Sequence, residues 1–179
     1  MRTTERLVLR PFREEDLEPW AALNTDPEVM KYLGGQPLSR EESDRIASGV
    51  NKRYASDGTG FLAIERRTDG AFVGACGLQF TPWYPDDFEI GWRLAREYWG
   101  HGYATEAASS WLEYGFGTME LPRVISVTDT PNVRSIGVMR RLGMSFDHEA
   151  VLEEDGVLFD ATVYSMTAAD WRAKTGGRG

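Results

Sequence analysis

A single cysteine, Cys76, stands among the 179 residues. It excludes an intrachain disulfide framework and fits a reducing compartment, so a cytoplasmic location is expected. Within Val73-Gly74-Ala75-Cys76-Gly77-Leu78, a strand-like stretch, Cys76 reads as a small buried hydrophobe rather than a nucleophile. Basic residues are also in short supply. Twenty Lys and Arg stand against 28 Asp and Glu, a formal charge of −8, so the global electrostatic grip used for nucleic acid is missing. An anionic ligand needs a local basic patch instead. Arg93, Arg96 and His101, then Arg134, Arg140 and Arg141, supply two such groups, each equally readable as a solvated face. No apolar run approaches the roughly 20 residues of a membrane-spanning helix. Met1-Arg2-Thr3-Thr4-Glu5-Arg6 does not lead into the apolar stretch of a signal peptide, so no membrane partner is expected. Repeats, low-complexity tracts and linkers are absent as well. One domain is expected over residues 1–174, with residues 175–179, which include Gly176-Gly177-Arg178-Gly179, as a disordered tail.

What is present suits a folded core: 41% hydrophobic residues and 12% aromatics. Thr4 to Arg10 alternates polar and apolar residues and predicts a strand that Pro11 stops. Arg13 to Asn24 puts Leu17, Trp20 and Leu23 or Ala21 on one helical face. Asp26-Pro27 predicts an N-cap and first helical residue for a short helix to about Leu33. Ser39-Arg40-Glu41-Glu42 is a capping box for a helix to about Ala55. Phe61–Arg66 and Ala71–Phe80 predict strands joined through Asp69-Gly70, followed by a loop over Thr81–Asp86. Phe88–Leu94 predicts a strand whose Gly91 marks a bulge. Tyr103–Phe116 carries the apolar stripe Ala104, Ala107, Ala108, Trp111 and Leu112 of a helix. A strand over Leu121–Thr128 and a helix over Asn132–Leu142, capped by Gly143, come next. Strands over Ser145–Val151 and Leu158–Met166 flank the turn at Glu153-Glu154-Asp155-Gly156, and Asp170–Lys174 forms a last helical turn. The order predicts a mixed α+β fold with helices on the faces of a sheet.

The stretch Tyr98-Trp99-Gly100-His101-Gly102-Tyr103-Ala104-Thr105-Glu106-Ala107 is a glycine-containing turn between a strand and a helix. Such a turn exposes backbone N–H groups at the positive end of the helix dipole, which suits a phosphate or pyrophosphate. A dinucleotide fingerprint would need glycine at Thr105, and a P-loop would need Gly-Lys-Ser/Thr; both are missing. On glycine spacing alone, an unliganded connection explains the turn equally well.

Three blocks together resemble the GNAT superfamily of acyl-CoA-dependent N-acetyltransferases, in the branch typified by ribosomal-protein N-terminal acetyltransferases of the RimJ/RimL type. The blocks are Thr4-Glu5-Arg6-Leu7-Val8-Leu9-Arg10-Pro11, then Glu89-Ile90-Gly91-Trp92 running into Tyr98 to Ala107, then Asn132-Val133-Arg134-Ser135 through Arg141-Leu142-Gly143-Met144. The resemblance implies a mixed, mostly antiparallel sheet of about six to seven strands with helices on both faces. Acetyl-CoA would lie between a splayed parallel pair, Phe88–Leu94 and Leu121–Thr128, with its pantetheine bonded to backbone at Trp92, Arg93 and Leu94. The family's pyrophosphate loop, Gln/Arg-x-x-Gly-x-Gly/Ala, aligns with Trp99, Gly100, His101, Gly102, Tyr103 and Ala104, with Thr105 next. Trp99 replaces the basic residue, so backbone amides carry more of the binding, with Arg96, His101 or Arg141 as substitutes.

The resemblance also implies direct transfer to an amine. The amine must lose a proton, an oxyanion must be stabilised and a thiolate must leave. Glu89 is the candidate base, working through water, with its pKa raised by Phe88, Ile90 and Trp92. An alternating strand would equally leave Glu89 facing solvent, and Asp160 is the reserve. Asn132 is placed at the pantetheine, although it is also a good N-cap. The tyrosine many members carry eight residues after that asparagine is Arg140 here, which leaves the Ser135 hydroxyl as proton donor to the thiolate. Trp83, Tyr84, Trp20 and Tyr32 are candidates for the acceptor pocket, and Asp86, Asp87, Glu153, Glu154 and Asp155 for drawing in a cationic amine; packing and solvated turns explain them as well. No metal is expected. The expected acceptor is a peptide or protein N-terminal α-amine, or else a polyamine, amino acid or antibiotic, and the expected assembly is a monomer or homodimer. A non-catalytic acyl-CoA-binding module is the alternative of a different class.

Overall fold

The computed structural model describes every residue except Asp155 and residues 177–179. The chain divides into two compact units, residues 1–77 with 92–107, and residues 78–91 with 108–179.

In the first unit the Thr4 backbone N–H and Leu7 carbonyl close a turn at 2.9 Å, and the Thr4 hydroxyl accepts from the Leu7 N–H. The single strand predicted from Thr4 is therefore a small hairpin, β1 (Arg2–Thr3) on β2 (Leu7–Arg10). β2 continues antiparallel onto β3 (Gly60–Arg66). Helix α1 (Leu17–Thr25) follows a 3-10 turn at Glu14–Asp16. The Asp26 carboxylate caps α2 (Pro27–Met30), with Pro27 in the position expected of it. Ser39 and Glu42 form the reciprocal box that starts α3 (Arg40–Asp57), which Gly58 ends in the left-handed region. Phe12, Trp20, Leu23, Val29, Ala47, Ala63 and Ala75 form the core of this unit.

Strands β4 (Phe72–Thr81) and β5 (Tyr84–Leu94) run through both units. Their close approach depends on glycine on β4. A Cβ at Gly74, where φ is +149°, would lie 2.3 Å from the Arg93 carbonyl oxygen. The loop predicted over Thr81–Asp86 shrinks to Pro82-Trp83, because β4 and β5 both extend into it. Cys76 is fully buried on β4, and burial pushes its thiol pKa up, which keeps it inert.

In the second unit the strand order is β5, β6 (Arg123–Asp129), β8 (Val157–Thr167), β7 (Ser145–Glu154). β5 and β6 are parallel only through Phe88↔Val124 and Glu89↔Ile125, the short contact expected of a splayed pair. The β6–β8 and β7–β8 ladders are antiparallel. With β1 included, the described residues form eight strands, mostly antiparallel, and the α+β class holds. Helix α4 (Tyr103–Gly117) buries Ala107, Ala108, Trp111 and Leu112 completely, while Ala104 stays half-buried. Helix α5 (Val133–Leu142) is capped by Asn132 and ended by Gly143 at φ +85°. Helix α6 (Ala168–Gly176) takes in residues 175 and 176 of the expected tail; the rest of that tail lies outside the described residues. Among the described residues, no helix is long and apolar enough to cross a membrane.

Candidate active site

The glycine turn is built by the end of β5 and the start of α4. Gly100 and Gly102 have φ of +80° and +81°, a region that side chains disfavour. Gly100, His101 and Gly102 are exposed. The N–H groups of the first helical turn have no carbonyl partners within a helix, and an exposed turn at the positive end of the dipole is chemically suited to an anion. Trp99 fills the basic position of the family loop and turns inward. Its indole N–H donates to the Leu94 carbonyl at 2.9 Å, and its ring packs on the core of the first unit. It therefore anchors the turn. His101 stacks on Tyr103. Ala104 and Thr105 are half-buried in the first turn of α4.

The first family block folds onto this turn. The Arg6 guanidinium donates to the Glu106 carboxylate at 2.7 Å and to the His101 carbonyl at 3.0 Å, and lies 4.8 Å from the Tyr103 ring centre. The Thr4 hydroxyl and the Arg6 backbone N–H also donate to Glu106. Burial pushes the Glu106 pKa up, but these three donors hold it below the usual carboxylate range. Sequence reasoning missed this clamp. Its signal was the co-occurrence of Thr4-Glu5-Arg6 with Thr105-Glu106-Ala107. Of the expected basic substitutes, Arg96 is paired with Asp26 at 3.3 Å, and the Arg141 guanidinium lies along α5 beside Gly137. Arg93 donates to Asn24 at 2.7 Å and covers the Trp20 ring. Trp92 and Arg93 are half-buried, and Leu94 is buried with its carbonyl taken by the Trp99 indole.

In the second unit, Glu89 sits where the β5–β6 ladder stops. Its carboxylate accepts the backbone N–H of Val127, on the part of β6 that no longer pairs with β5, and a hydrogen bond from Gln79. Part of its surface stays open, yet protein surrounds most of it. Burial is the main reason its pKa rises to about 7, and the nearby charge of Glu154 adds to the rise. A carboxyl group poised at neutrality suits a general base. Asp160 is exposed, in an open cleft of about 410 Å³ with Thr130 and Glu149.

The Asn132 amide is taken up locally: its oxygen accepts the Ser135 N–H at 3.2 Å and its nitrogen donates to the Thr128 hydroxyl at 3.0 Å. The half-buried Ser135 hydroxyl makes no hydrogen bond among the described residues. Arg140 donates to the Tyr164 hydroxyl at 3.0 Å.

The aromatic candidates separate. Trp20 is 2% exposed, with its N–H on the Ser43 carbonyl, and belongs to the core rather than to an acceptor pocket. Tyr32 lies beside Lys31. Trp83 donates to the Glu153 carbonyl at 2.8 Å and meets Phe159 edge to face. The Tyr84 hydroxyl lies 2.8 Å from His148 Nε2, and His148 Nδ1 lies 2.7 Å from Asp147. Asp86, Glu153 and Glu154 are exposed, Asp87 is 3.9 Å from Arg123, and Asp155 lies outside the described residues. No group of residues able to hold a metal occurs among the described residues.

The described residues thus include an exposed glycine turn at a helix start, a parallel strand pair with a short contact and a carboxyl group whose burial raises its pKa to about 7. Comparison with known proteins gives the family. Residues 6–145 match the family described as acetyltransferase (GNAT) domain. The uncharacterized N-acetyltransferase p20 of Bacillus licheniformis is 30% identical, over 94% of this chain and 96% of that protein. Spermidine N(1)-acetyltransferase of Escherichia coli strain K12 is 27% identical, over 86% of this chain and 80% of that protein. A GNAT-family acetyltransferase structure from Bacillus anthracis superposes with a TM-score of 0.81 at 25% identity, covering 93% and 98% of the two chains. The chain belongs to the GNAT acetyltransferase family. It is an N-acetyltransferase with acetyl-CoA as donor.

Proposed function

We propose that the chain transfers acetyl directly from acetyl-CoA to a primary amine, and that the preferred acceptor is the α-amine of a peptide or protein. The observation that carries this reading is the largely enclosed Glu89 carboxyl group at the end of the β5–β6 ladder, whose burial raises its pKa to about 7. A protein α-ammonium, with a pKa near 7.7–8.0, gives its proton to such a base against a gap of about one pKa unit, or about 1.4 kcal/mol. A lysine-like ammonium at about 10.4 faces a gap above three units, about 4.6 kcal/mol.

In this account the Gly100–Thr105 turn takes the donor's pyrophosphate on backbone N–H groups, and Trp92, Arg93 and Leu94 offer main-chain partners to the pantetheine. Glu89 removes the proton from the ammonium, directly or through one water. The free amine attacks the thioester carbonyl, the C–S bond breaks, and the Ser135 hydroxyl gives the departing thiolate its proton. Asn132 holds the start of α5 so that this hydroxyl keeps its place.

A small polycationic amine is the second reading. It is favoured by the closeness of Glu154 to Glu89, two carboxyl groups that would share a positive charge, and by the spermidine activity in the name of the Escherichia coli relative. The test is free-thiol release from acetyl-CoA with matched peptides, free or blocked at the N-terminus, alongside spermidine and free lysine. Faster release with free N-termini supports the first reading; release confined to spermidine replaces it with the second.

A further inference from the structure

Outside the residues assigned to proton transfer, a hydrogen-bonded chain joins three strands of the second unit. Tyr84 begins β5, and its hydroxyl lies 2.8 Å from His148 Nε2 on β7. His148 Nδ1 lies 2.7 Å from the Asp147 carboxylate. Asp147 also accepts from Ser165 of β8 at 3.0 Å and pairs with Arg123 of β6 at 3.0 Å. Asp87 lies 3.9 Å from the same Arg123.

The donor directions follow from the groups. An ionised carboxylate only accepts, so Asp147 takes the Nδ1 proton and fixes the tautomer. Burial pushes the Asp147 pKa up, but the bonds from His148 and Ser165 and the Arg123 charge outweigh it and keep the group ionised. Nε2 is then a lone pair, and the Tyr84 O–H must donate to it. A phenol that has spent its proton in this way presents only lone pairs to anything else. Burial raises the Tyr84 pKa further, so the hydroxyl stays protonated.

Tyr84 adjoins a segment that is linked to Glu89 through the β7 end. Its neighbour Trp83 is bonded to the carbonyl of Glu153, and the charge of Glu154 acts on Glu89. Resting on the reading of a primary-amine acceptor, we propose that the Tyr84 oxygen accepts an N–H from the acceptor ammonium, and that His148 and Asp147 are positioning residues that keep the oxygen in this accepting state.

The test is steady-state kinetics with saturating acetyl-CoA and two probes, n-butylamine and a peptide with a free α-amine, joined to 15N NMR of the His148 ring. Loss of its signals in His148→Gln distinguishes His148 from His101. Wild type is expected to show the Nδ1-protonated tautomer at pH 8. Tyr84→Phe should raise the acceptor KM about tenfold at pH 8, the loss of one modest hydrogen bond, with kcat within about threefold. n-Butylamine should shift the His148 resonances in wild type and not in Tyr84→Phe, a readout that needs no turnover. If no amine is acetylated yet that shift appears, the acceptor reading fails and the relay stands. An unchanged KM in Tyr84→Phe, or the opposite tautomer, overturns the proposal.

Discussion

Replacing Glu89 by glutamine should make the protein more stable and less active, and the gain should depend on pH. In the folded chain Glu89 ionises at about 7, against an ordinary value of 4.5. Below pH 4.5 the carboxyl group is protonated in both states and contributes nothing. Between 4.5 and 7 the unfolded chain ionises while the folded one holds its proton, so folding loses stability with each rise in pH. Above 7 the loss is constant. A gap of 2.5 units corresponds to about 3 kcal/mol at most, and the open part of the side chain reduces this to about 1–3 kcal/mol. Glutamine keeps an oxygen for the Val127 N–H and never pays the ionisation cost. The variant should therefore match wild type near pH 4.5 and exceed it at pH 8, raising the urea midpoint by about 0.5–1.5 M for m near 2 kcal/mol/M. Comparing variant and wild type at each pH cancels every other carboxylate. A difference in midpoint that is the same at both pH values would refute the burial argument for Glu89.

Gly102→Val places a branched side chain at φ +81° and a Cβ 3.4 Å from the Arg6 guanidinium; calorimetry should show CoA affinity falling at least about tenfold (~1.4 kcal/mol) in a variant that still unfolds cooperatively. Ser135→Ala should lower kcat by more than it weakens acetyl-CoA binding, and an equal loss in both would make Ser135 a binding residue only. Asn132→Ala should instead reduce stability by about 1 kcal/mol through the lost cap, read as a lower urea midpoint; an unchanged midpoint would show that the cap contributes little.

The element order was legible because each boundary carries a local signal: Asp26-Pro27 and Ser39 with Glu42 for helix starts, Gly58 and Gly143 for helix ends. The hairpin tips were not. Thr81–Asp86 looks like a loop from its prolines, but Trp83 and Tyr84 bind side chains and backbone far along the chain, and those bonds order the strands around them. In the same way, Trp20 and Trp99 look alike as aromatics near a site, and only packing shows that both turn into the core. Glu89 was legible as a candidate from its strand and apolar neighbours. The Val127 N–H that holds it, and the Arg6–Glu106 clamp under the glycine turn, join residues too far apart in sequence for spacing to reveal. The Tyr84–His148–Asp147 chain was invisible for the same reason, since β7 reaches β5 only through the fold.

The most direct test of the account is the pH profile of kcat with an α-amine peptide, both substrates saturating, for wild type and Glu89→Gln. Wild type should rise through an inflection near pH 7 as Glu89 gains its charge. Glu89→Gln should lose that inflection and run about tenfold to a hundredfold lower at pH 8, the lower range of general-base effects. A variant profile that overlays wild type at every pH would contradict the assignment of Glu89 as the base.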